Sequence, residues 1–240
     1  MQSVMYKGVR LADKLLQTCT DIVFLLVLLI GLYFLADTAY VLGHSRATVA
    51  MPFRPEDGDI AVLKELSEDA VGWITIDDTG IDYPVMQGVD NYEYLNKDPY
   101  GDYSLSGSIY LDSRNAPDFS DPYSILYGHH MSGGYMFGAL DDFDEEAYFR
   151  AHLTGTLTCE RGVLPVHCLA FLYTEAANEL VFDPAQDAEE LADWIKENAI
   201  FYNEDAEGGA IVALSTCRSP TSTRRMILFV TLDAPEPADG

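Results

Sequence analysis

Cys217 closes the string Ala213-Leu214-Ser215-Thr216-Cys217, at the end of an apolar run that starts at Ala210. Arg225 opens a second apolar run, Met226-Ile227-Leu228-Phe229-Val230, and His129 follows Gly128 just beyond the apolar pair Ile125-Leu126. A thiol, an imidazole and a guanidinium, each at the end of a predicted strand, supply a nucleophile, a proton carrier and an oxyanion stabiliser, which is the equipment of acyl transfer. Taken one at a time they also read as a buried structural cysteine, a loop histidine and a surface arginine. His130 competes with His129, and Arg224 with Arg225. Neighbours on an extended segment point to opposite sides, so only one member of each pair can face the thiol.

These strings resemble the sortase family, class B sortases most closely. The family's nucleophile motif, Thr-Leu-x-Thr-Cys, stands here as Ala213-Leu214-Ser215-Thr216-Cys217, with Ala for Thr at a position that does not react. The resemblance runs from Val71 to Leu232. It includes Val71-Gly72-Trp73-Ile74, Ile81-Asp82-Tyr83-Pro84-Val85, Asp90-Asn91-x-x-Tyr94-Leu95 and Gly107-Ser108-Ile109-Tyr110-Leu111-Asp112. The family pattern sets its catalytic His directly after a Gly and its Arg at the start of the last strand, which selects His129 and Arg225. The resemblance implies catalysis by His129, Cys217 and Arg225. Ser215 and Thr216 are read as substrate contacts, with strand-end bonding as the competing role for Ser215. Arg218, directly after the nucleophile, is read as tuning access or as a solvated loop charge.

The activity implied is that of a cysteine transpeptidase. It cleaves the C-terminal sorting signal of a secreted protein after a Thr, holds the Thr carbonyl as a thioester, and joins it to an amine of a cell-wall precursor. The alternatives are a pilin-polymerising sortase, whose acceptor is a pilin Lys, and an exported cysteine hydrolase that uses the same residues with water as acceptor. No cofactor is expected. No metal is expected either, because no Cys-x-x-Cys or His-x-x-x-His pair occurs and the acidic runs lack calcium-loop spacing.

The elements that must position these residues follow from pattern. Ile22–Leu42 is apolar apart from Asp37 and is long enough for a bilayer; a signal peptide is the competing reading. Lys7, Arg10 and Lys14 precede it, so the positive-inside rule sets the N-terminus in the cytoplasm and the catalytic domain outside, on a single-pass membrane protein. The organisation expected is a cytoplasmic segment 1–21, an anchor 22–42, a linker 43–58, an extracellular catalytic domain 59–233 and a disordered tail 234–240. Lys7, Arg10 and Lys14 are balanced by Asp13, Asp21 and Asp37, so the net charge of −25 falls on the part beyond the anchor. Such acidity excludes nucleic-acid binding and favours solubility or an amine-bearing substrate.

Short runs at Trp73–Ile76, Ile81–Val85, Gly107–Leu111, Tyr123–Tyr127, Leu153–Cys159, Val166–Tyr173, Gly209–Leu214 and Met226–Leu232 predict a mainly β fold, a sandwich or closed barrel. The resemblance implies the closed barrel of about eight strands, with an N-terminal helix and a helix before the penultimate strand. Helices are predicted at Asp59–Ser67, at Asp144–His152 with Asp144 as cap, and at Asp187–Asn198 from the Asp187-x-x-Glu190 signature. A hairpin turning near Arg161-Gly162 sets Cys159 opposite position 164, so no disulfide to Cys168 is expected. His44, His152 and His167 are read as structural or exposed.

Overall fold

The computed structural model describes residues 2–44, 51–55, 58–217 and 223–234, and Cys217 by its backbone only. Arg218 and nearly all of the expected tail lie outside the described residues. Two compact units emerge, Met1–Gly43 and His44–Gly240. The first is one helix, α1 (Gln2–His44), which contains a span, Asp13–Tyr40, whose most apolar 18 residues have a mean hydropathy of 2.5. It is apolar around its whole circumference, with Phe24 70% and Leu35 69% exposed, a pattern suited to lipid rather than water.

The second unit is a closed barrel. Its strands are β1 (Ala70–Ile76), β2 (Asp82–Met86), β3 (Ile109–Leu111), β4 (Tyr123–Tyr127), β7 (Thr154–Cys159), β8 (Gly162–Glu175), β10 (Ala210–Cys217) and β11 (Arg224–Leu232). They lie in the order β11-β10-β4-β3-β2-β1-β7-β8, and β8 pairs back onto β11 to close the ring of eight. The pairs β2–β3 and β4–β10 are parallel. A two-residue strand, β9 (Phe201–Tyr202), adds to β8, and β5 (His130–Met131) with β6 (Tyr135–Met136) forms a separate ribbon.

Side chains alternate between the barrel interior and an outer face that is itself covered. Val212, Leu214, Leu228 and Val230 point into the main core, whereas Ile211, Ala213, Ile227 and Phe229 pack outward against Leu191 and Ile195. Those two belong to α5 (Ala188–Asn198), which precedes the penultimate strand as expected. Burial on both faces is why β10 and β11 read as continuous apolar runs instead of alternating ones. Asp187 caps α5 as predicted, its carboxylate accepting from the N–H groups of Glu189 and Glu190. On another side α2 (Ala61–Leu66) sets Leu63 and Leu66 against Trp73 and Met86.

Two local expectations need correction. Asp144 does not cap a helix. It ends a 3₁₀ stretch, Phe137–Asp144, and α3 (Glu146–Ala151) starts after Glu145, which makes no side-chain cap. Phe137, Leu140 and Phe143, all fully buried, recur every third residue, and a three-residue period suits the 3₁₀ turn rather than the α-helix. The β7–β8 hairpin turns at Glu160-Arg161, so Cys159 pairs with Gly162 rather than a residue near 164. Cys159 and Cys168 remain free thiols, buried at 1% and 0% exposure.

Buried charge stands out at the end of β3. Asp112 is fully buried. Burial pushes its carboxyl pKa up, but hydrogen bonds from Arg114 and Asn91 outweigh that and hold it below the ordinary range. The unfolded chain therefore takes up this proton more readily than the folded one. The stabilisation is complete above the usual carboxylate pKa of about 4 and is lost as pH falls through the lower folded value. Asp112→Asn should flatten the acid limb of a melting-temperature profile taken from neutral pH downward; an unchanged limb would show that other carboxylates dominate acid unfolding.

Burial raises the pKa of both hairpin thiols, that of Cys168 to about 12. Since the thiolate is the reactive form, iodoacetamide should leave Cys159 and Cys168 unmodified in the folded protein and modify both in denaturant. Peptide mass spectrometry reads the difference, and native labelling of either would contradict the burial.

Candidate active site

The site is built by strand register. β4 and β10 run parallel with Tyr127 opposite Ser215. His129 is two residues beyond Tyr127 and Cys217 is two beyond Ser215, so the parallel pair carries both to the same level at one end of the barrel. The N–H of Gly128 continues the ladder, donating to the Ser215 carbonyl at 3.2 Å. On the other side of β10, the antiparallel register sets Arg225 directly opposite Cys217. Directly opposed residues share a sheet face. The alternation of β10 puts positions 211, 213 and 215 on the outer face, on the barrel wall and not inside it.

A cleft of about 310 Å³ opens there. His129, Ser215, Thr216 and Arg225 border it, with Asn91, Tyr92, Leu95, Tyr127 and Phe182 among its other walls. His129 Nε2 is 2.8 Å from the Leu95 carbonyl oxygen. A carbonyl can only accept, so Nε2 carries the proton in this contact and Nδ1 is left as the nitrogen that can take up another. The backbone of His129 is fixed as well, because the Phe137 N–H donates to its carbonyl at 3.1 Å.

The two competitors are engaged elsewhere. His130 turns away and bonds through Nε2 to the Asp141 carboxylate at 2.9 Å. Arg224 lies over the Tyr173 ring at 5.5 Å and approaches Glu175 at 3.9 Å. His152 stacks on Tyr148, and His167 meets Asp233 at 2.9 Å. Ser215 and Thr216 are 2% and 3% exposed, and neither hydroxyl oxygen has a hydrogen-bond partner among the described residues. Buried polar atoms without partners cost about 1–3 kcal/mol each. Two of them beside a cleft make a place where a bound polar backbone is favoured.

Several walls were not singled out from sequence. Asn91 and Leu95 lie within Asp90-Asn91-x-x-Tyr94-Leu95, so the motif was visible, but the contact Leu95 makes with His129 is a backbone carbonyl that no side-chain pattern reveals. Phe182 comes from α4 (Glu179–Phe182), a four-residue helix too short to leave a periodic signal.

Gly128 is required by space. A methyl group at its Cα would run into the Ile109 side chain and the Phe137 ring, both fully buried. Gly128→Ala should therefore destabilise by about 1–3 kcal/mol through overpacking and displace the neighbouring imidazole. Thermal melting together with the His129 ring signals in NMR checks both effects; an unaltered melting point and spectrum would mean that the wall yields freely.

The chain is similar to known proteins in sequence and in fold. The chain matches the sortase domain family over residues 74–233. It is 33% identical over 162 residues to sortase B of Listeria monocytogenes, a match that spans 65% of this chain and 65% of that protein. Among solved structures it is similar to a Streptococcus pyogenes class B sortase involved in pilus biogenesis (35% identity, TM-score 0.66, covering 73% of this chain and 98% of that one). It is also similar to Clostridium perfringens sortase B (26% identity, TM-score 0.67, covering 73% and 100%). Fold, motif register and relatives agree, and the chain belongs to the sortase family, with its likeness to class B.

Proposed function

We propose that this chain is a membrane-anchored cysteine transpeptidase, with α1 as a single-pass anchor, its N-terminus in the cytoplasm and its barrel outside the cell. The observation that carries the reading is the convergence of His129, Arg225 and the strand position of Cys217 on one cleft bordered by hydroxyls that have no partner among the described residues. The orientation rests on Lys7, Arg10 and Lys14 ahead of the apolar span.

The donor is a secreted protein bearing a C-terminal sorting signal, bound with its Thr carbonyl over Cys217. The Cys217 thiolate attacks that carbon, and Arg225 donates to the oxygen as it gains charge. The tetrahedral adduct collapses, the C–N bond breaks, and His129 gives its proton to the departing amine. A thioester between Thr and Cys217 remains. An incoming amine attacks it, His129 removes the extra proton, the C–S bond breaks and a new amide forms. Arg225 serves both halves because each passes through an oxyanion of the same carbonyl. The Ser215 and Thr216 hydroxyls hold the peptide next to the scissile bond.

The acceptor is an amine of a cell-wall precursor. A pilin Lys is the second reading, favoured by the 35% identity to a class B sortase involved in pilus biogenesis. To test this, the full-length chain in detergent is incubated with fluorogenic peptides randomised around an invariant Thr. Lys- or diaminopimelate-containing stem peptides, pilin domains or no amine are then added. A thioester on Cys217 and an amine-dependent ligated product are expected. Cys217→Ala should abolish turnover, and His129→Ala should lower kcat/KM by about 10²-fold or more, the usual scale for a general acid–base group. His130→Ala should cost less than His129→Ala. Arg225→Ala should cost about 3 kcal/mol, with Arg225→Lys an incomplete rescue because an ammonium lacks the planar fork. If no amine raises product above hydrolysis, the chain is an exported hydrolase instead.

A further inference from the structure

One ion pair behind the cleft touches three of its walls. Arg114 grips Asp112 with two parallel hydrogen bonds, Nε to Oδ1 and Nη2 to Oδ2, both 2.9 Å. The same guanidinium reaches across to the other side of the cleft: Nη2 donates to the Phe182 carbonyl at 2.9 Å and Nη1 to the Asp183 carboxylate at 3.2 Å. Asp112 in turn accepts from the Tyr127 hydroxyl at 3.0 Å and from the Asn91 amide at 2.9 Å, both on Oδ2. Asn91, Tyr127 and Phe182 all border the cleft.

Taking the Asp112 charge out of water is costly, and an apolar pair would stabilise the fold as well or better. What the pair adds is geometry. A guanidinium is planar and its donors are fixed in direction, so an arginine that fills both carboxylate oxygens has little freedom in where its remaining N–H groups point. Those groups hold Phe182, the last residue of a helix too short to hold its own position.

We propose that Arg114 and Asp112 are positioning residues: the pair fixes the separation between the Phe182 wall and the Asn91–Tyr127 wall, and so the fit of the donor peptide, while taking no part in the covalent steps. The inference rests on the transpeptidase reading and deepens it by separating peptide selection from thiol chemistry. Arg114 is half exposed, but its removal leaves the buried Asp112 carboxylate without its partner, so a variant that keeps the charge is needed beside one that removes it.

The test uses the full-length chain in detergent with the Thr-centred peptide pool at saturating amine. Arg114→Met should raise the peptide KM at least about tenfold, the scale of a lost charge-assisted hydrogen bond. It should leave kcat within about threefold, because binding and not the transition state is altered. Iodoacetamide should alkylate Cys217 at the wild-type rate. Arg114→Lys should behave like Arg114→Met, since its charge survives and its fork does not; it also carries the test if Arg114→Met fails to fold. A folded variant with wild-type KM, or a loss that falls on kcat and on alkylation, overturns the inference while the transpeptidase reading stands. A wild-type chain that forms no acyl-enzyme with the pool overturns that reading, and this inference with it.

Discussion

The parallel hydrogen bonding of β4 to β10 sets the level at which everything in the cleft meets. Tyr127 lies opposite Ser215, and two further residues on each strand bring His129 and Cys217 abreast. The antiparallel pairing of β10 with β11 then fixes Arg225 across from Cys217. A slip of one residue in either ladder would send a proposed reacting group to the opposite face of the barrel wall. Closure of the ring through β8 and β11 resists such a slip, because β11 is held along both edges.

Covering both faces of the wall has an electrostatic cost. Strands buried inside and out leave few places where a polar group can find water. The polar groups that remain must therefore be satisfied by one another or by a ligand. Asp112 follows the first course: its carboxylate is saturated by Arg114, Asn91 and Tyr127. The Ser215 and Thr216 hydroxyls have no partner among the described residues, which leaves the second course open to them. The barrel end thus combines a rigid, fully bonded support with a surface whose bonding is incomplete.

Much of this was legible in the chain. The eight strands of the ring were visible as apolar runs, because each is bounded by turn residues, and the Asp187-x-x-Glu190 signature marked α5. The proposed trio of His129, Arg225 and Cys217 was picked out through motif strings, since no single residue among them carries enough signal alone. The failures have specific physical causes. The apolar spacing of Phe137, Leu140 and Phe143 was hidden under an acidic run that resembled a helix start. The turn at Glu160-Arg161 was misread because Gly162, at φ +106°, belongs to the strand end and not to the turn centre. The clamp by Arg114 was invisible because it joins residues nearly seventy positions apart through a backbone carbonyl.

The long connection from β8 to β10 begins beyond Glu175 and ends at Ala210, and both of these residues pair with β11, at Arg224 and Leu232 respectively. Its two ends are therefore fastened to opposite ends of one strand, about 26 Å apart at 3.3 Å per residue. Any segment exchanged into this place must bridge that gap, which takes at least about eight extended residues. It may be longer without limit from the ring, whose closure does not pass through it. The ring thus sets a minimum length for this connection but no maximum, while the outer face of β10 and β11 demands that it supply an apolar cover such as Leu191 and Ile195.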